Sequence, residues 1–368
     1  MIYLDYSATT KTDSRVLSYF NLASEKYFAN ANSLYKIGKK AKGAINRAGQ
    51  QILRILNFDS HEIIFTSCAT EANNLVIKGV IESFKGRKKR IITTMFEHSS
   101  IIGPINALQK NGYLVSVVRH NENGQVDLED LQKLLSEDVA LVSIGSVNSE
   151  IGIRQPIEQI AEIVHEAGSL LHCDATQSIG KEIVNLNVVD YVTFSAHKFY
   201  GVKGIGALVK RYSAPLSSQI KGGNSTTIYR SGTPATPLIL SLKKALQLIY
   251  KNHDRKYQKV KTLNAFLRRR LTKIANVVIN SPVGGLPHIL NFSIIGYPSR
   301  KMIRELSKLD IYVSNHSACA SNTSKSQAIL ALTNDQKRAS SSLRVSLSHL
   351  TTKLELRMFL ASLKKVVG

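Results

Sequence analysis

The sequence predicts an α/β protein: a large domain with a mostly parallel mixed sheet covered by helices, then a smaller α+β domain. Between His61 and Lys210, short apolar runs rich in β-branched residues alternate with helical patterns. Strands that are apolar along their whole length, rather than at every second residue, belong to a sheet buried on both faces, which is the parallel case. A stretch without glycine or proline then extends between Pro237 and Pro282, and beyond it short strands mix with helices without that alternation.

In chain order the predicted strands are Glu62–Thr66, Arg90–Thr94, Leu114–Val118, Ala140–Val147, Ser169–Asp174, Asp190–Ala196 and Gly204–Val209. Pro156–Gly168 reads as a helix between two of them, because proline suits a first helical turn and glycine the residue just past the last. After a glycine-rich loop at 221–236, Tyr257, Val260, Leu263, Leu267, Leu271 and Ile274 recur at three- and four-residue steps, one face of a helix. This helical stretch carries the chain out of the large domain. His288–Ile294, Ile311–Ser314 and Ser341–Ser348 are the short strands of the last third. The division expected is a large domain at residues 15–255 and a small one from residues 1–14 and 256–368.

Length and composition agree. The 368 residues are more than one small core needs, and 43% hydrophobic content is ordinary for a globular protein. No run approaches the roughly 18 unbroken apolar residues of a membrane span. The N-terminal MIYLDYSATTKTD lacks a basic region followed by an apolar run, so the expected location is the cytoplasm. Three widely spaced cysteines, Cys68, Cys173 and Cys319, argue against a disulfide framework or a metal cage. The formal charge is +23, but the basic runs are short, as at Arg87–Arg90 and Arg268–Arg270. A solvated basic face is the plain reading; contact with tRNA or an acidic protein is the alternative.

Ligands of open α/β sheets sit at the carboxyl ends of strands, and the polar strings of this chain fall there. Asp174 ends one strand in DATQS (174–178), and Lys198 follows the end of another in SAHK (195–198). A strand-end acid needs a partner, and a protonated pyridine nitrogen is one. A lysine desolvated beside a cofactor has a lowered pKa and serves as nucleophile, then as base. The pair is what pyridoxal phosphate chemistry requires, with an ordinary ion pair at a sheet edge as the alternative. Gln177 is within reach of the ring's phenolic oxygen, and Ser195 and His197 of its phosphate.

Four further positions carry weaker signals. Thr66–Ile81 passes from a strand into a helix through small residues, and Ala69 and Thr70 at that helix N-terminus form a phosphate cradle or a plain cap. His98 either stacks on an aromatic cofactor and shuttles protons or caps the next helix. Asn148 either hydrogen-bonds the cofactor or a substrate carboxylate or closes an Asx turn. Arg344, inside an apolar strand, either captures a carboxylate or forms a structural ion pair. Cys319 lies in a polar stretch of small residues, 314–327, and is the candidate thiol nucleophile; Cys68 and Cys173 are expected to be small core residues.

Taken together, YLDYSATT (3–10), CATEANN, EHSS, VNSEIG, HCDATQSIGK, SAHKFYGVKGIGAL, RSGT (230–233), SAC and SSLRVSLSHLTT resemble, in that order and nearly end to end, the cysteine desulfurases of the NifS and IscS type in the class V aminotransferase superfamily. The resemblance implies a fold-type I homodimer holding pyridoxal 5'-phosphate on Lys198. Asp174 would pair with the pyridine nitrogen, Gln177 and Asn148 would face the phenolic oxygen, and His98 would stack on the ring. Ala69, Thr70, Ser195 and His197 would bind phosphate, joined by Thr233 of the neighbouring subunit. Arg344 would take the substrate carboxylate. Cys319 would accept sulfur from L-cysteine as a persulfide, with release of alanine, and pass it to an acceptor protein of iron–sulfur cluster assembly or tRNA thiolation. The alternatives on the same scaffold are a selenocysteine lyase, a transaminase or a non-catalytic cofactor-binding protein. The chain departs from the family pattern at Tyr35, Cys68, Val202, the 224–228 segment and His316, none of them among the cofactor residues.

Overall fold

The computed structural model describes residues 1–223, 225–315 and 325–368. The elements are β1 (Ile2–Tyr3), α1 (Ser14–Lys26), α2 (Lys36–Ile55), β2 (His61–Thr66), α3 (Ala69–Ser83), β3 (Arg90–Thr93), α4 (Ser99–Lys110), β4 (Leu114–Val117), α5 (Leu128–Leu134), β5 (Val139–Ser143), α6 (Ile157–Glu166), β6 (Leu170–Asp174), β7 (Tyr191–Ser195) and β8 (Gly206–Arg211). There follow α7 (Thr236–Tyr250), α8 (His253–Leu271), β9 (Val277–Ile279), β10 (Ile289–Ile294), α9 (Ser299–Ser307), β11 (Ile311–Tyr312), α10 (Gln327–Thr333), α11 (Gln336–Ser340), β12 (Ser342–Ser346) and α12 (Lys353–Val367).

All seven predicted strands of the first part join one sheet, in the order β2-β8-β7-β6-β5-β3-β4. β8 alone runs against the direction of the other six strands. The apolar strand sequences follow from burial on both faces. Ile92, Val142 and Val209 point into a core shared with α1, α2, α6 and α7. Their chain neighbours Ile91, Leu141 and Leu208 point into another core shared with α3 and α4. The two-residue period of a strand sends adjacent apolar side chains to opposite faces.

A second apolar cluster is built on the antiparallel sheet β12-β10-β9 and the parallel pair β1-β11, covered by α8, α9 and α12. The sequence reading of one helical stretch after Pro237 needs correction here. The chain breaks at Asn252, whose φ of 57° is left-handed. Asparagine tolerates that conformation, so neither glycine nor proline is required. The break lets one apolar stretch serve two cores: Ile239, Leu242, Leu246 and Ile249 of α7 pack in the first, and Val260, Leu263, Leu267 and Leu271 of α8 in the second. The run Ala140–Val147 also ends as a strand at Ser143, and beyond it Gly145 and Val147 line the cavity. Among the described residues no helix is long and apolar enough to cross a membrane.

Candidate active site

Every parallel strand ends at the same rim of the large sheet, and a cavity opens there. Its wall includes Ala69, Thr70, His98, Asn148, Asp174, Gln177, Ser195, His197, Lys198 and Arg344. Cross-strand register explains the convergence: Asp174 lies opposite Thr193, and Ser195 opposite Gly206. Gly206 permits the closest approach, since a Cβ there would come within 2.7 Å of the Cys68 carbonyl carbon. The N-terminus of α3 therefore rests against β7, where the Ala69 N–H donates to Ser195 Oγ at 2.6 Å. N–H groups of a first helical turn lack intrahelical acceptors and favour an anion.

Lys198 ends a 3-10 turn at Ala196–Lys198. Its Nζ donates to the carbonyls of Ser7 and Ala8 at 2.6 and 2.9 Å. The N-terminal segment is held against that turn by Thr10, whose N–H and hydroxyl both donate to the His197 carbonyl. Asp174 accepts from the Thr176 N–H at 2.9 Å and from Asn73 Nδ2 at 3.0 Å. Both bonds aim the carboxylate while leaving acceptor capacity on its oxygens.

His98 is the N-cap of α4, and its Nδ1 accepts from the Ser100 N–H at 3.2 Å. A neutral ring so held carries its proton on Nε2. Burial lowers its pKa. Capping and site membership, alternatives on sequence grounds, thus coexist. Asn148 behaves likewise: it lines the cavity, yet its Oδ1 closes an Asx turn onto the Glu150 and Ile151 N–H groups. Arg344 donates to Asp5 at 2.7 Å and to the Ser149 carbonyl at 3.0 Å while facing the cavity. His197 is pushed down to about 4 by burial, then by Lys198 and Lys203.

Cys68 departs from the sequence reading. It is only partly buried and lines the cavity at the N-cap of α3, whereas Cys173 is a buried core residue whose thiol burial pushes up. Thr233 is exposed and outside its own chain's cavity wall. Cys319 and His316 lie outside the described residues.

A family model described as Aminotransferase class-V matches residues 2–359. The chain belongs to the class-V aminotransferases. Among its relatives in the family, Cysteine desulfurase IscS of Pectobacterium carotovorum subsp. carotovorum (strain PC1) is 37% identical, over an alignment covering 100% of this chain and 93% of that protein. A solved structure described as a NifS-like protein superposes with a TM-score of 0.93 at 33% identity, covering 100% of this chain and 99% of the other. Another, SspA in complex with cysteine, has a TM-score of 0.84 at 28% identity, covering 96% and 100%.

Several wall and support residues of this class-V aminotransferase escape a reading of the sequence. Asn73 has no exposed surface; it donates to both Asp174 and Ser100 and accepts from Thr193. Its signal is a polar residue on an otherwise apolar helix face, which must find partners when buried. Glu97 accepts from Thr94 Oγ1 and the Gly145 N–H. Although it contributes some cavity surface, the protein packed around it desolvates the carboxyl and pushes it up to about 7, helped by Asp174. Ser7 and Ala8 act through backbone carbonyls, which no residue identity advertises.

Three buried polar atoms of the cavity wall, Ser7 Oγ, Thr176 Oγ1 and Arg344 Nε, have no hydrogen-bond partner among the described residues. Orphans of this kind on one wall, beside a helix N-terminus, an acid and a lysine, suit a polar anionic ring compound and its amino-acid substrate.

Proposed function

We propose that this protein is a pyridoxal-phosphate-dependent cysteine desulfurase that takes sulfur from L-cysteine and releases L-alanine. The observation that carries the reading is that Lys198 Nζ and the Asp174 carboxylate face one cavity, with Arg344 on the same wall. When bound, the cofactor supplies an aldehyde that captures amines and a protonated ring that accepts electrons.

The chain's own residues do the rest. Lys198 Nζ, held on the Ser7 and Ala8 carbonyls, is the amine that holds the cofactor, and once displaced it takes the substrate's α-proton. Asp174, aimed by Asn73 and Thr176, keeps the ring nitrogen protonated. Gln177 and Asn148 would hydrogen-bond the phenolic oxygen, and His98 would cover the ring and move protons at Nε2. Ala69, Thr70, Ser195 and His197 take the phosphate; Thr233 joins them from a second subunit, so the working form is a homodimer. Arg344 binds the substrate carboxylate through its fork. Cys319 is the thiol that attacks the substrate sulfur and carries it as a persulfide to an acceptor protein, in iron–sulfur cluster assembly or tRNA thiolation.

The domain division at residues 15–255 against 1–14 and 256–368 belongs to this reading. It is supported by the two core clusters, one drawn from Val16–Ile249 and the other from Ile2–Leu4 and Val260–Leu363. Product analysis with L-cysteine tests the function: alanine plus persulfide, or sulfide once a thiol reductant is added, is expected, and 3-mercaptopyruvate with aminated cofactor would replace it with a transaminase.

A further inference from the structure

One buried lysine has no role in this scheme. Lys181 is only 6% exposed, on the turn after Gln177. Burial holds its amine well below the ordinary lysine range, and the charges of Lys198 and Arg344 act in the same direction, opposed by Glu182, with His288 nearby. A polar amine kept in such a place is costly unless it is hydrogen-bonded. Its Nζ donates to Gln177 Oε1. Gln177 Nε2 donates to the Ser7 carbonyl at 3.1 Å, the same oxygen that accepts from Lys198 Nζ.

An amide has one acceptor end and two donor hydrogens. With Oε1 turned to Lys181 and one hydrogen on Ser7, the second Nε2 hydrogen is what Gln177 has left for the cavity. Reversal would set Gln177 Oε1 against the Ser7 carbonyl, acceptor against acceptor, and would break the bond that Lys181 Nζ makes to Oε1. We propose that Lys181 is a positioning residue: it locks the Gln177 amide so that the cofactor's phenolic oxygen meets an N–H donor and never the carbonyl. This rests on the pyridoxal phosphate reading of the cavity. A donor on that oxygen stabilises its anionic form most when the neighbouring nitrogen has lost its proton, so it lowers the pH midpoint of the cofactor's visible band.

The test is the pH titration of that band in the loaded wild type, Lys181→Met, Gln177→Leu and the double variant. Lys181→Met should raise the midpoint by about half to one unit, roughly three- to tenfold in proton affinity. The double variant should move no further than Gln177→Leu alone, because the two act through one bond. An unchanged midpoint in loaded Lys181→Met, or additive shifts, overturns the proposal; a loss of melting temperature alone would mark Lys181 as merely structural. Should the methionine variant not fold, Lys181→Gln, whose terminal nitrogen lies one bond nearer the backbone, is read by the same midpoint and the same two outcomes. A wild type that gains no visible band with pyridoxal phosphate overturns the reading of the cavity itself, a result the midpoint comparison cannot mimic.

Discussion

Asn73 Nδ2 lies 3.0 Å from Asp174 Oδ2 and 2.9 Å from Ser100 Oγ, so one fully buried amide orients the acid of the site and, through Ser100, the ring of His98. Its Oδ1 is occupied as well, by Thr193 Oγ1. The amide ties α3 to the end of β6, to β7 and to the first turn of α4 at once.

Asn73→Leu should therefore leave Asp174, Ser100 and Thr193 each short of a bond, at about 1–3 kcal/mol for each buried group that stays unpaired. Urea denaturation should show that loss, together with weaker cofactor retention on dialysis. Asn73→Asp sets a second carboxylate against Asp174, and two such groups require a shared proton. Its stability should fall further at pH 8 than at pH 5.5; parallel curves for the two variants would show that Asn73 does not contact Asp174.

Glu97 predicts a pH slope. Its folded value of about 7 lies above the ordinary 4.5, so between those values the native state keeps a proton that the unfolded chain gives up. Stability is then greatest below about 4.5 and declines as pH rises toward 7. Cofactor-free wild type should lose roughly 1–3 kcal/mol across that window relative to Glu97→Gln, the smaller figure applying as cavity water solvates the carboxylate. The amide introduced by Glu97→Gln also misplaces one donor, but that cost does not vary with pH. Thermal melts at pH 5 and 7.5 separate the two effects.

The reactive groups give a contrast of colour and turnover. Lys198→Ala should abolish the stable visible band, because no other amine replaces the Nζ held by Ser7 and Ala8. Cys319→Ala should keep the band and lose sulfide release from L-cysteine by several orders of magnitude. Full release from that variant would remove Cys319 from the role of nucleophile.

Where sequence signals are local, the structure agrees with them. The unbroken apolar strands specify burial on both faces, and strand-end polarity places Asp174, Lys198, His98 and Asn148 at one rim. What the sequence hides is long-range. Nothing near Ser7 announces that its carbonyl would accept from both Lys198 and Gln177, more than 160 positions away. Lys181, within HCDATQSIGK, has no neighbour in sequence that shows it to be buried. The break at Asn252 is invisible beforehand because an αL asparagine mid-stretch has no glycine or proline to mark it. At His98 and Asn148 a capping or turn bond coexists with a place on the cavity wall, a combination that local sequence signals do not separate.

Arg344 carries the last prediction, since it too does two things. It is 1% exposed, pairs with Asp5 at 2.7 Å and leaves Nε without a partner among the described residues. Breaking a buried pair from one side typically costs about 3–5 kcal/mol; the 20% exposure of Asp5 places this case toward the lower end. Arg344→Ala should thus destabilise the protein and raise KM for L-cysteine at least about tenfold, near 1.4 kcal/mol. Asp5→Asn separates the roles: it keeps an acceptor for the guanidinium, so most stability should survive, while the charge of Arg344 is no longer offset before substrate arrives. Tighter binding of a carboxylate inhibitor by Asp5→Asn, at wild-type affinity for the matching amide, is the expected signature. Equal changes for acid and amide would assign Arg344 to holding the N-terminal segment and not to the substrate.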